Sequence, residues 1–179
     1  VVEAGRDKVD FEDDFADLAQ GNHAILAIPY RDKYYWIDCT SQVLPFGFIG
    51  SFTDDRKVMI VTPEGGKIVR TTAYINEQNH QKIEATYTLN ADGSIVGDAH
   101  ITTQGSQYYR RFRLHDESEK EVVKNYKEQW SNINNLNVAK YELENDREQV
   151  LFSENTTLDA VNYASISGNR ILFILNAFN

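Results

Sequence analysis

Residues 23–40 read HAILAIPYRDKYYWIDCT, and the way this stretch folds governs what surrounds it. Residues 23–30 are an apolar run, Arg31-Asp32-Lys33 is polar, and residues 34–40 are aromatic and β-branched. Ringed and β-branched side chains suit a pleated surface, so two such runs around a short polar turn predict a β-hairpin. A tight turn at residues 31–32 sets opposite each other positions whose numbers sum to about 61–63. His23 then faces residues 38–40, within reach of Asp38. A carboxylate beside an imidazole fixes which ring nitrogen carries the proton. From spacing alone, such a pair reads first as an ordinary hydrogen-bonded pair and second as the base and orienter of a catalytic site.

Outward from the hairpin, residues 41–56 read SQVLPFGFIGSFTDDR. Pro45, Gly47 and Gly50 break regular structure, which predicts an ordered loop whose Phe46, Phe48, Ile49 and Phe52 pack onto the core. A second hairpin is expected from residues 57–62 and 67–72 around Pro63-Glu64-Gly65-Gly66. Polar composition at residues 75–81 marks a boundary, giving domains 1–75 and 76–179. Beyond it apolar residues alternate at Ile83, Ala85, Tyr87 and Leu89. After an Ala91-Asp92-Gly93 turn they alternate again at Ile95, Gly97, Ala99 and Ile101, and Tyr108, Arg110, Phe112 and Leu114 predict a further strand. One helix interrupts: Ser118 with Glu121 is a capping box, and Val123, Tyr126, Trp130 and Ile133 recur at helical spacing. Trp130 reads as core. Strands resume at 136–143, 156–167 and 170–176, the last two joined by a Gly168-Asn169 turn. The fold predicted is mainly β. Antiparallel hairpins come first, followed by a β-sandwich, or a curled antiparallel sheet, carrying one helix.

Composition narrows the function. The chain of 179 residues is 41% hydrophobic and 25% charged, an ordinary globular profile. Its net charge is −9, and nucleic-acid binders need a basic face to neutralise phosphate, so no nucleic-acid partner is expected. Arg110, Arg111 and Arg113 fall in the alternating stretch and read as a solvated strand face. No apolar run is long enough for a membrane span. The sequence starts Val1-Val2-Glu3, without Met or a signal-peptide pattern, and is read as a processed or excised piece of a larger polypeptide. Cys39 is the single cysteine, which excludes an intrachain disulfide and any cysteine-based zinc site.

The words around the pair carry a resemblance. Asn22-His23, Trp36-Ile37-Asp38-Cys39-Thr40-Ser41-Gln42, Pro45, Gly47, Asp55 and Arg56 resemble the end of the transglutaminase-like (papain-related thiol enzyme) core found in large proteins of Gram-negative bacteria. The resemblance covers residues 1–75. It implies that His23 is the base and Asp38 its orienter, in an enzyme acting on peptide or amide bonds. Residues 76–179 resemble, more weakly, the all-β domain of unknown function that trails this core. The resemblance also implies a periplasmic or extracellular location.

A thiol enzyme needs a nucleophile as well, and the family carries it at a helix start upstream of the histidine, with the oxyanion donors. The residues before His23 include no cysteine. Cys39 follows Asp38 directly, and successive strand side chains point to opposite faces, so it is expected to be a buried structural thiol. The chain is therefore expected to be catalytically silent alone, partnered by the upstream half of the core and an unidentified protein or peptide substrate. No cofactor or metal is expected. His80 and His100 read as surface histidines, Asp54-Asp55 as loop charges, and Asn155-Thr156-Thr157 as a sequon without meaning in a bacterial protein. Two rivals stand beside this reading. One is a protein- or glycan-binding module of the cell envelope, and the other a metal-dependent hydrolase that uses His23 and Asp38.

Overall fold

The structure, a computed structural model, describes residues 1–15 and 17–178. It divides into two compact units, Val1–His80 with Arg147–Val150, and Gln81–Asp146 with Leu151–Asn179. The expected mainly-β architecture of antiparallel sheets with few helices is what the chain adopts.

The first unit is built of two hairpins. β1 (Leu26–Tyr30) and β2 (Lys33–Ile37) pair antiparallel around Arg31-Asp32, with residue numbers that sum to 63. Arg31 takes a φ of 54°, the left-handed backbone that a two-residue hairpin turn requires. β3 (Lys57–Thr62) and β4 (Gly65–Arg70) form the second hairpin, again around two residues. Between them lies α1 (Gly50–Thr53), a single turn. Pro45 and Gly47 act together: Phe48 N–H donates to Pro45 O at 3.1 Å, and Gly47 sits at φ 78°, where a type II turn calls for glycine. Val2, Trp36, Ile49 and Val58 form the buried centre. Phe48 and Ile49 pack inward as expected, but Phe46 and Phe52 do not; they stand 69% and 48% exposed.

Arg56 is fully buried, and it explains how the N-terminal segment is held. Its guanidinium donates to the carbonyls of Glu3 (2.6 Å), Gly5 (3.3 Å), Asp7 (3.5 Å) and Asp54 (3.1 Å). A rigid fork of donors suits this task better than the single ammonium of a lysine. Around the rim, Arg70 bridges Asp10 and Asp55, Lys8 reaches Asp54 and Asp55, and Lys57 pairs with Asp13.

The second unit is a four-stranded antiparallel sheet, ordered β5-β6-β8-β7 from β5 (Gln81–Leu89), β6 (Ile95–Gln104), β7 (Leu136–Asp146) and β8 (Leu151–Ala160). The central strands alternate in burial, as strands covered on one face must: Ile95, Ala99, Ile101 and Thr103 on β6, and Phe152, Glu154, Thr156, Leu158 and Ala160 on β8 are buried. The layer on that face is helical instead of a second sheet. α3 (Glu119–Gln129) starts at Ser118, whose hydroxyl accepts from Glu121 N–H at 3.4 Å. It buries Val122, in place of the expected Val123, and Tyr126. Trp130 at its C-cap is fully buried, stacks on Tyr126 and meets Phe178 edge-on, so it is core as expected.

Residues 108–114 correct the reading. They are not a strand: Gly105 turns the chain at φ 59°, α2 (Ser106–Arg111) follows, and Phe112–Asp116 is a 3-10 helix. Tyr108 and Phe112 satisfy a two-residue period and a one-turn helical spacing equally, and they stack ring on ring at 5.2 Å. Arg111 is no solvated strand residue either. Its guanidinium grips buried Glu154 with two hydrogen bonds and reaches Asn125, while Tyr126 donates its hydroxyl to Glu154 at 2.8 Å. Arg110 and Arg113 are exposed. The chain after β8 is less regular than expected: β9 (Ser165–Ser167) and β10 (Arg170–Leu172) form a short hairpin about Gly168-Asn169.

Candidate functional site

The site is assembled by the first hairpin and the turn that ends it. Val2 and His23 exchange backbone hydrogen bonds of 2.9 and 3.0 Å, which anchor the start of the hairpin. Asn22 pins the neighbouring chain: its side-chain oxygen accepts from Ala4 N–H at 2.8 Å and its nitrogen donates to Glu3 Oε1 and Ala4 O. On the other strand, β2 stops at Ile37 and residues 38–41 turn, closed by Ser41 N–H to Asp38 O at 3.3 Å.

That turn aims the carboxylate. Asp38 Oδ1 accepts from Thr40 N–H (3.0 Å) and Thr40 Oγ1–H (2.6 Å), an aspartate bonding to its own backbone two residues on. Asp38 Oδ2 is thereby free for His23, whose Nε2 lies 3.1 Å away. A carboxylate only accepts, so the bond places the proton on Nε2. Among the described residues, Nδ1 of His23 has no hydrogen-bond partner. The ring of Phe52 meets the imidazole edge-on, 6.4 Å between centres. Both polar groups are largely withdrawn from water, with side-chain exposures of 19% and 9%. Burial pushes the Asp38 carboxyl up, yet the two bonds from Thr40 and the one from His23 outweigh it and hold the group below its ordinary value. Asp38 is therefore an anion at neutral pH.

No family model, curated protein or solved structure matches the chain. The arrangement is thus judged on its own chemistry. An imidazole held by a carboxylate through one nitrogen presents a lone pair on the other, the layout of a general base.

The remaining candidates fall elsewhere. Cys39 is exposed, contrary to the expected buried thiol. The alternation argument does not reach it, because the strand has already ended and the residue occupies a corner of the turn. Asp54 and Asp55 are tied to Lys8 and Arg70. His80 is exposed, and His115 lies beside Asp116. His100 accompanies Asn155 at 2.7 Å on the outer face of the four-stranded sheet, in a register row that runs Glu84, His100, Asn155, Glu142 beneath a cleft of about 490 Å³. Among the described residues, no group of three or more His, Cys, Asp or Glu side chains could hold a metal ion, and no helix is long and apolar enough to cross a membrane. Thr40 and Phe52 are the site residues that sequence reasoning missed. The Asp-x-Thr spacing was the available signal for Thr40; nothing local singles out Phe52.

Proposed function

We propose that the first unit is the closing part of a transglutaminase-like thiol hydrolase or acyl transferase, with His23 as general base and Asp38 as the group that orients it. The observation that supports the reading is the 3.1 Å bond between His23 Nε2 and Asp38 Oδ2, which leaves Nδ1 to receive a proton. In this scheme a cysteine from the upstream half of the core gives its proton to Nδ1, and the sulfur attacks the carbonyl carbon of a peptide or amide bond. The imidazolium returns the proton to the departing amine. Water or a second amine then takes the acyl group from sulfur.

Cys39 does not serve as that nucleophile. It is exposed at a turn corner directly after Asp38, the carboxylate that holds Nε2, whereas the base presents Nδ1. The 179-residue chain should therefore show no amide hydrolysis or transamidation. Turnover by this chain that Cys39→Ala abolishes would contradict the proposal. In the parent polypeptide, His23→Ala should lower kcat/KM by about 10²–10⁴-fold, the usual worth of a positioned base.

A further inference from the structure

The first unit contains an open slot one strand wide. Val2 bonds to His23 through both backbone groups, and Val1 bonds to Met59 in the same way, at 2.7 and 3.1 Å. A two-residue segment thus lies between the approach to β1 and the middle of β3 and is hydrogen-bonded to both. Neighbouring strands stand about 4.8 Å apart, so the two walls are held two strand spacings from each other. Past Val1 the gap continues as an apolar cleft of about 270 Å³, walled by Ile25, Ala27 and Trp36 on one side and Val58, Ile60 and Val61 on the other.

The backbone of the walls is in register for a strand. In an antiparallel ladder, alternate residues direct their N–H and C=O to alternate neighbours. Tyr30 and Lys33 flank a two-residue turn, so Tyr30, Ile28 and Leu26 bond to β2, while Ala27, Ile25 and His23 turn their backbones toward the slot. The same parity on β3 gives Thr62, Ile60 and Val58 to β4, and Val61 and Met59 to the slot. The bonds already made by His23 and Met59 agree with this count. Pro29, which has no N–H to offer, ends the slot on β1. Free strand edges are normally blunted by charge, and among the described residues no charged side chain lines this cleft.

We propose that the slot seats a β-strand that leads into Val1 in the parent polypeptide, antiparallel to both β1 and β3. The residue before Val1 bonds to Ile25, and the one before that bonds to Val61. The strand joins the two hairpins into one sheet and braces the start of β1, where His23 sits. This inference rests on the reading of the unit as part of a larger core.

Amide hydrogen exchange, residue by residue, on the 179-residue chain and on the parent polypeptide tests it. Ile25 and Val61 should exchange at least about 100-fold more slowly in the parent, while Leu26 and Ile28, already bonded to β2, change little. Proline in place of the residue before Val1 should restore fast exchange at Val61 and Ile25. Equal exchange at both positions in the two chains would overturn the proposal, as would a native mature protein that begins at Val1. The pattern does not depend on any cysteine. Failure of the catalytic reading would instead appear as a parent whose activity survives His23→Ala, with the exchange pattern intact.

Discussion

Each unit draws an arginine inward, Arg56 completely and Arg111 with its side chain 13% exposed, and the two solve the problem differently. Arg111 in the second unit meets a full carboxylate: Glu154 is completely buried, accepts from the guanidinium with both oxygens, and takes a third bond from Tyr126. Burial and the neighbouring Glu154 push the Tyr126 phenol far above its usual range, so it stays a donor. Among the described residues, the Arg56 guanidinium in the first unit donates only to carbonyl oxygens. One arginine neutralises a charge inside a finished core of sheet and helix. The other serves as a clamp that gathers chain segments around a small centre of Val2, Trp36, Ile49 and Val58. Both units leave apolar side chains exposed, Leu26, Ile28, Tyr30 and Tyr35 on the first hairpin and Leu172, Ile174 and Leu175 near the end of the second unit. The contrast teaches that the second unit is centred on a sheet-and-helix core with a charge pair inside it, and the first on backbone and polar bonding beside an apolar cleft.

Each unit carries one tryptophan, Trp36 and Trp130, so unfolding of the two can be followed separately by fluorescence in single-tryptophan variants. The largest effect should come from Glu154→Ala. Leaving the mostly buried Arg111 without its fully buried partner should cost about 3 kcal/mol in urea unfolding reported by Trp130, and replacing both residues by apolar ones should recover most of it. A small loss in the single variant would show the pair to be solvated. Next comes Arg56→Ala, which deprives several carbonyls of a charged donor and should cost about 3 kcal/mol in the transition reported by Trp36, with the Trp130 transition unmoved. Equal loss in both transitions would break the distinction between the units.

The smallest effect concerns the site. Thr40→Val removes one hydroxyl bond to Asp38 and should cost about 1 kcal/mol near neutral pH. The folded Asp38 carboxyl lies below its ordinary 3.8, so its contribution is complete above that value and fades as pH falls through the lower folded one. Without the Thr40 hydroxyl the folded value rises toward 3.8. The variant should therefore lose less additional stability below about pH 4 than the parent chain, having less to lose. Acid titrations that run parallel would contradict the role of Thr40.

The hairpin register was legible because turn length and residue type fix it, and from that register the meeting of His23 with Asp38 followed. The α3 cap was legible for the same local reason. Residues 108–114 misled because a short apolar run fits two periods at once. The Arg111–Glu154 pair joins positions 43 apart, and no local pattern announces such a partner. Cys39 was misjudged because strand alternation was extended one turn too far. The aim of Asp38 depends on Thr40 bonding back within its own turn, a geometry that becomes visible only with coordinates.

The central claim is that Asp38 fixes the His23 imidazole with its proton on Nε2 and its lone pair on Nδ1. Nitrogen-15 chemical shifts of the His23 ring, recorded at alkaline pH where the ring is neutral, measure this directly. The account predicts a single Nε2–H tautomer that becomes a mixture in Asp38→Asn. A ring that already interconverts between tautomers, or carries its proton on Nδ1, would contradict it.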